Sequence, residues 1–286
     1  MRFVVAPELE LFAGSIRGVL ADWSPLREAV LGEWADGRDD ALAVRLAELG
    51  WSELWSDPEL LGPTVAGAVE LGRAVAPLHL VDEATLGAPL AVGSRVRHGA
   101  GRSEAAFALP GGGLALRPIG DVEREPSLDS VGTLVIAAGS GLSVDDAAAR
   151  WHAWGAATVA YLAGLADGSV AQTVEHVRSR EQFGAPLAAL PTVQAKLADA
   201  ALARDGLLLA AWSLVAGESA AGDVLSWAGG ACREVTAIAN QAHGAIGFAL
   251  ESGLHRAYRR AKTVQVWSEA VRGGTPGDGA GRGRVG

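Results

Sequence analysis

The chain has 286 residues, of which 49% are apolar, and a net charge of −9. That length buries one large core or two modest domains, and the acidic balance argues against a nucleic-acid partner while leaving room for a phosphorylated ligand on a local arginine cluster. The single Cys232 excludes an internal disulfide framework and a thiolate metal site, which points to a reducing cytoplasm; no run reaches the roughly 18 uncharged apolar residues of a membrane span.

Met1–Pro7 is interrupted by Glu8 and Glu10 too soon to read as a signal peptide. The first ninety residues read as helices. Leu9, Leu11, Phe12, Ile16, Val19 and Leu20 recur at helical spacing, and Ala41, Val44, Leu46 and Leu49 form a second apolar stripe that stops at Gly50. A third helical run, from Val65 to Arg73, ends before Pro77. The character then changes. Ala105–Leu109 and Gly113–Arg117 are short apolar runs joined across Pro110-Gly111-Gly112, which predicts a hairpin, and Thr133–Ala137 reads as a further strand.

From Ser143 the pattern is helical again, with Asp145 and Asp146 suited to the positive end of a helix. Four long helices are expected: about 144–180 with a break at Gly168, then 191–217, 220–243 and 251–271. Short loops between them favour an up-and-down bundle. The domains are accordingly set at 1–91 (helical), 92–142 (a reduced β segment), 143–272 (the bundle) and 273–286 (a glycine-rich, disordered tail).

The sequence Arg180-Glu181-Gln182-Phe183-Gly184 places an arginine at a helix end, just before a tight turn that opens onto a new helix. This pairs a planar fork of donors with a helix N-terminus, a combination suited to a diphosphate. The alternative is a capping loop with Arg180 in a surface ion pair and Phe183 in the core. Farther on, Gln241-Ala242-His243-Gly244-Ala245-Ile246-Gly247 is a glycine-rich helix break. His243 suits either a donor to a ligand or a satisfied structural histidine. Arg256, Arg259 and Arg260 form a basic face suited to phosphates or, equally, a solvated helix end. His152 and His176 form no metal pair, and Trp151 and Trp154 read as core.

Several segments together resemble the acyl-CoA dehydrogenase family. They are Leu46–Trp51, Glu70–Pro77, the Arg180–Gly184 turn with Gln194 and Leu197-Ala198-Asp199, and Gln241–Lys262. The last is similar to the bacterial subset that acts on bulky, sterol-type thioesters and pairs unlike subunits. The resemblance covers most of the chain. It implies a mainly α, acyl-CoA dehydrogenase-like fold: an N-terminal helical domain, a truncated β segment and a C-terminal four-helix bundle. It further implies FAD at a subunit interface, with Arg180, Gln182 and Phe183 contacting a neighbour's cofactor and Gln241 and Gly244 lying farther along it. An acyl thioester such as an acyl-CoA would be the substrate, in a homo-oligomer or a hetero-oligomer with a homologous subunit.

Three departures from the family pattern stand out. The β segment from about 103 to 138 has no Trp, so much of the usual flavin-ring and acyl-thioester pocket is either absent or supplied by a partner chain. Ala245 replaces the second glycine of a pair. Ser268 stands where the family most often carries its catalytic Glu, leaving Glu251 and Glu269 as candidate bases. Three readings remain: an FAD-dependent dehydrogenase subunit, a non-catalytic partner lending residues to another chain's flavin, or a flavin-free scaffold turned to cyclisation or elimination.

Overall fold

The computed structural model describes residues 6–23, 36–97, 102–119, 122–125, 133–136, 141–182, 184–249 and 252–273. Helices α1 (Pro7–Leu20), α2 (Asp36–Ala47), α3 (Leu61–Arg73) and α4 (His79–Leu86) come first. Strands β1 (Leu90–Val92), β2 (Arg95–Arg97), β3 (Glu104–Ala108), β4 (Leu114–Pro118), β5 (Val122–Glu125), β6 (Thr133–Ile136) and β7 (Leu142–Ser143) form one sheet in the order β5-β6-β2-β1-β3-β4-β7. The bundle follows as α5 (Ala147–Ser179), α6 (Pro191–Val215), α7 (Ala221–His243) and α8 (Leu254–Gly273). The fold is mainly helical with a small sheet, as expected. Among the described residues no helix is long and apolar enough to cross a membrane. The glycine-rich tail beyond 273 lies outside the described residues.

The expected β3–β4 hairpin is present, with Phe107 opposite Ala115. The sheet around it is larger than three strands. Strand β1 runs parallel to β3 and antiparallel to β2, and β2 in turn pairs with β6. The short helix α4 links Pro77 to this sheet, and its Asp82 is wholly buried at the junction. Asp82 accepts from Trp154 Nε1 on α5 at 3.0 Å and from the Leu90 amide of β1 at 3.1 Å. The Arg97 guanidinium of β2 completes the set through Nε at 3.2 Å. A buried carboxylate persists only when paired and fully bonded, and here one side chain ties four elements together. Trp154 is accordingly core.

Helices α3 and α5 form the centre. They approach until their backbones touch: a Cβ on Gly72 would fall 2.0 Å from the Tyr161 carbonyl, and one on Gly164 would fall 1.9 Å from that of Val69. Glycine is required at both positions by space, not by dihedral angle. Gly168, expected as a break, instead lies within an unbroken α5. A Cβ there would meet the Arg73 carbonyl at 3.0 Å, so this glycine also permits close packing.

Helix α3 ends in a left-handed turn occupied by Val75, with φ 53°. A β-branched residue pays a steric penalty there. The turn is held because the next carbonyl, Ala76, accepts from Tyr161 Oη of α5 at 2.7 Å and from Arg260 Nη1 of α8. Arg256 and Arg260 are therefore not part of a solvated helix end; they are 7% and 1% exposed and face inward.

Candidate functional site

Three helix ends meet at one end of the bundle. Helix α5 stops at Ser179, and Arg180 turns extended at φ −83°, ψ 121°. The two-residue strand β8 (Glu181–Gln182) folds back on β9 (Ala185–Pro186) through Gly184, whose φ of 80° suits glycine. The Leu187 amide bonds the Arg180 carbonyl at 2.8 Å and closes the loop. Pro191 then opens α6 at a position where a missing N–H costs nothing. Gln194, part of the same motif, donates to the Ala188 carbonyl at 2.8 Å and so fixes the turn. On the third side α7 ends at His243, and Gly244 at φ 62°, ψ −139° begins the 3-10 turn Gly244–Phe248. That backbone conformation is essentially restricted to glycine. Ala245 lies inside the turn and needs no such conformation.

The three ends enclose a cavity of about 590 Å³. Arg180, Gln182, Gln241 and Gly244, named separately from sequence, all line it. Residues not foreseen as site residues join them: Lys196 and Thr192 from the first turns of α6, and His176 from α5. Their only sequence signal was position, since each lies within two turns of a predicted helix end. Phe183 and Glu251 lie outside the described residues.

The electrostatics are one-sided. No carboxylate lines the cavity among the described residues. Arg180 and Lys196 are exposed and make no ion pair among the described residues. The N-terminal turn of α6, with Thr192 and Val193 in the wall, adds the positive end of a helix, although the Val193 and Gln194 amides already donate to the Leu190 carbonyl. Arg180 is the C-cap residue of α5, its amide bonded to the His176 carbonyl at 2.8 Å, but its side chain makes no surface ion pair among the described residues.

His176 and His243 stack with ring centroids 4.0 Å apart and planes inclined by 19°. His243 is buried, and its Nδ1 lies 2.9 Å from the Ala239 carbonyl. A carbonyl only accepts, so Nδ1 carries the proton and Nε2 is left as the basic nitrogen. Burial holds the His176 imidazole below its usual basicity, with smaller contributions in the same direction from His243 and Arg180.

The candidate base among the described residues does not line the cavity. Glu269 is exposed on α8 and accepts from Gln265 Nε2 at 2.9 Å, one helical turn away. Ser268 beside it is buried. No cluster of residues that could hold a metal occurs among the described residues, and His152 is bonded to the Leu214 carbonyl at 2.9 Å.

Comparison with known proteins places this geometry. Residues 147–268 match the acyl-CoA dehydrogenase C-terminal domain. A 3-sulfinopropanoyl-CoA desulfinase of Paraburkholderia xenovorans is 35% identical over 118 residues, covering 39% of this chain and 30% of that protein. The chain thus aligns with less than a third of that curated relative. Among solved structures, the Tcur3481–Tcur3483 steroid ACAD superposes with a TM-score of 0.76 at 21% identity, covering 94% of this chain and 97% of that one. The ChsE4–ChsE5 complex from Mycobacterium tuberculosis gives 0.74 at 19% identity, covering 96% of both chains. Residues 147–268 thus match the acyl-CoA dehydrogenase C-terminal domain, and the chain as a whole has the acyl-CoA dehydrogenase fold.

Proposed function

We propose that this chain is a subunit of an FAD-dependent, acyl-CoA dehydrogenase-type oxidoreductase, and that its cavity holds the diphosphate of a flavin whose ring is covered by a neighbouring chain. The observation that carries this reading is the cavity wall: two unpaired cations and a helix N-terminus, with no carboxylate among the described lining residues. These groups fit a dianionic diphosphate. Arg180 would offer two parallel donors to its oxygens, Lys196 a point charge, and the start of α6 the positive end of a helix dipole. Gly244 keeps the chain free of a side chain where the wall turns. When bound, FAD supplies a hydride acceptor for α,β-desaturation of an acyl thioester. Likeness to the steroid enzymes favours a bulky acyl group and a homologous partner subunit.

The exposed apolar face of α6 and α7 supports an oligomer. Leu202, Leu209 and Trp227 are 72%, 50% and 47% exposed. Their burial against a second chain would bring a neighbour to the helices that frame the cavity.

A second reading, the non-catalytic partner, is favoured by Ser268 and by the solvated Glu269. Proton abstraction next to a thioester needs a carboxylate sheltered enough to have a raised pKa. Glu251 is the remaining candidate. Purified with a homologous partner, the protein should carry a flavin spectrum that bleaches on adding acyl-CoA. Arg180→Ala should weaken FAD binding about 10- to 100-fold, as expected for losing charged hydrogen bonds. A preparation that rejects FAD both alone and in complex would sink the proposal, and activity persisting in that state would favour the flavin-free scaffold. Glu251→Gln separates the first two readings: turnover lost with flavin retained assigns the base to this chain, and unchanged turnover assigns it to the partner.

A further inference from the structure

The stacked histidines are a part of the cavity that the diphosphate reading does not use. We propose that His176 and His243 act together as a proton-linked third cation of the site, taking up one proton when a diphosphate binds. This rests on the cavity being a diphosphate site, and it adds a regulation of that site by pH.

The geometry carries the argument. Two imidazoles with centroids 4.0 Å apart share one wall of the cavity. His243 is anchored through Nδ1 to the Ala239 carbonyl, which fixes its ring against that of His176. Rings this close repel each other when both are charged, so the stacked pair holds at most one proton. The other charged lining groups are both cationic, Arg180 at the end of α5 and Lys196 on α6. Helix α7 adds neutral Gln241, and the 3-10 turn adds no titratable lining group among the described residues. From α8, His255 is engaged with the Ala249 backbone. Glu175 and Arg178, on the same turn of α5 as His176, are exposed and outside the cavity wall.

An empty cavity therefore holds the pair among like charges with no anion to balance it. Burial, His243 and Arg180 all lower the basicity of His176 in that state. A bound diphosphate reverses the balance by placing negative charge where only positive charge stood. The sign follows: basicity rises on binding, protons enter with the ligand, and affinity falls as pH rises through the titration range of the pair. Where the pair stays neutral in both states, affinity no longer depends on it.

ADP-ribose is the appropriate probe, because its diphosphate is a diester that does not titrate near neutrality and any proton exchanged belongs to the protein. Calorimetric titration of the full chain in two buffers of different ionisation enthalpy, between pH 6 and pH 8, counts those protons. We expect an uptake of about one-half to one proton and an affinity falling by up to about tenfold per pH unit. His176→Phe keeps a flat ring against His243 while removing one basic site, and should reduce both the uptake and the pH slope. Binding of ADP-ribose with no proton exchange and a flat pH profile would overturn the histidine proposal and leave the diphosphate site standing. Absence of ADP-ribose and FAD binding, both to the chain and to its complex, would overturn the diphosphate reading itself and the histidine proposal with it.

Discussion

Glu269 and Ser268 show how a one-residue offset decides a chemical role. They are adjacent on α8, about 100° apart around the helix; the serine faces inward and the carboxylate faces solvent. Glu269→Gln should accordingly leave turnover within about twofold of the parent and the melting temperature within measurement error, since exposed i,i+4 contacts contribute only tenths of a kcal/mol. A loss of turnover above tenfold would return Glu269 to the active site. Cys232 offers a second check at this scale. Its thiol is fully buried beside the Leu162 carbonyl, and burial pushes it well above the ordinary thiol range. The thiolate is the reactive form. Ellman's reagent at pH 8 should therefore react with the native chain more than about a hundredfold slower than with chain unfolded in guanidinium. Rapid reaction of the native protein would mean that α5 and α7 are not packed as described.

Helices were the legible elements, because their apolar stripes repeat over several turns and Gly50, Pro77 and Pro191 punctuate them. The additional strands were not legible. Strand β1 is three residues long and buried throughout, so it shows no alternation, and Val122–Glu125 is mostly charged. Gly168 does not break its helix for a physical reason that sequence hides: a glycine that breaks a helix and one that admits a neighbouring backbone look identical in the chain. The site divides in the same way. Arg180, Gln182, Gln241 and Gly244 were recognisable from local motifs, whereas His176 and Lys196 enter only because three helix ends converge. The α3–α5 contact provides the element-scale test. Gly164→Ala would place a methyl carbon within 1.9 Å of the Val69 carbonyl. Separating two packed helices to admit it should cost at least about 3 kcal/mol. Thermal unfolding measures this directly; an unchanged midpoint would show that the helices are farther apart. Gly222→Ala is the internal control, since a methyl added there would have nothing within 4 Å.

At the scale of the molecule, α6 is apolar around much of its circumference, yet only Ala200, Leu207, Ala211 and Leu214 are buried within this chain. A helix of that kind ordinarily lies inside a larger assembly. Light scattering after size exclusion should find the chain associated, with itself or with a homologous subunit, and Leu202→Glu combined with Leu209→Glu should shift it to the smaller species. A monomeric parent that is unaffected by partner co-expression would refute this. The backbone seam between α3 and α5 has a further consequence, which concerns time. Amides along that seam are shielded by a second backbone, whereas those around Arg180 and Gly244 sit on short turns at a helix end. Hydrogen–deuterium exchange should therefore separate the two, the seam exchanging only through global opening and the cavity rim through local fluctuations orders of magnitude faster. The cavity end of this protein would then loosen and re-form while its centre stays shut.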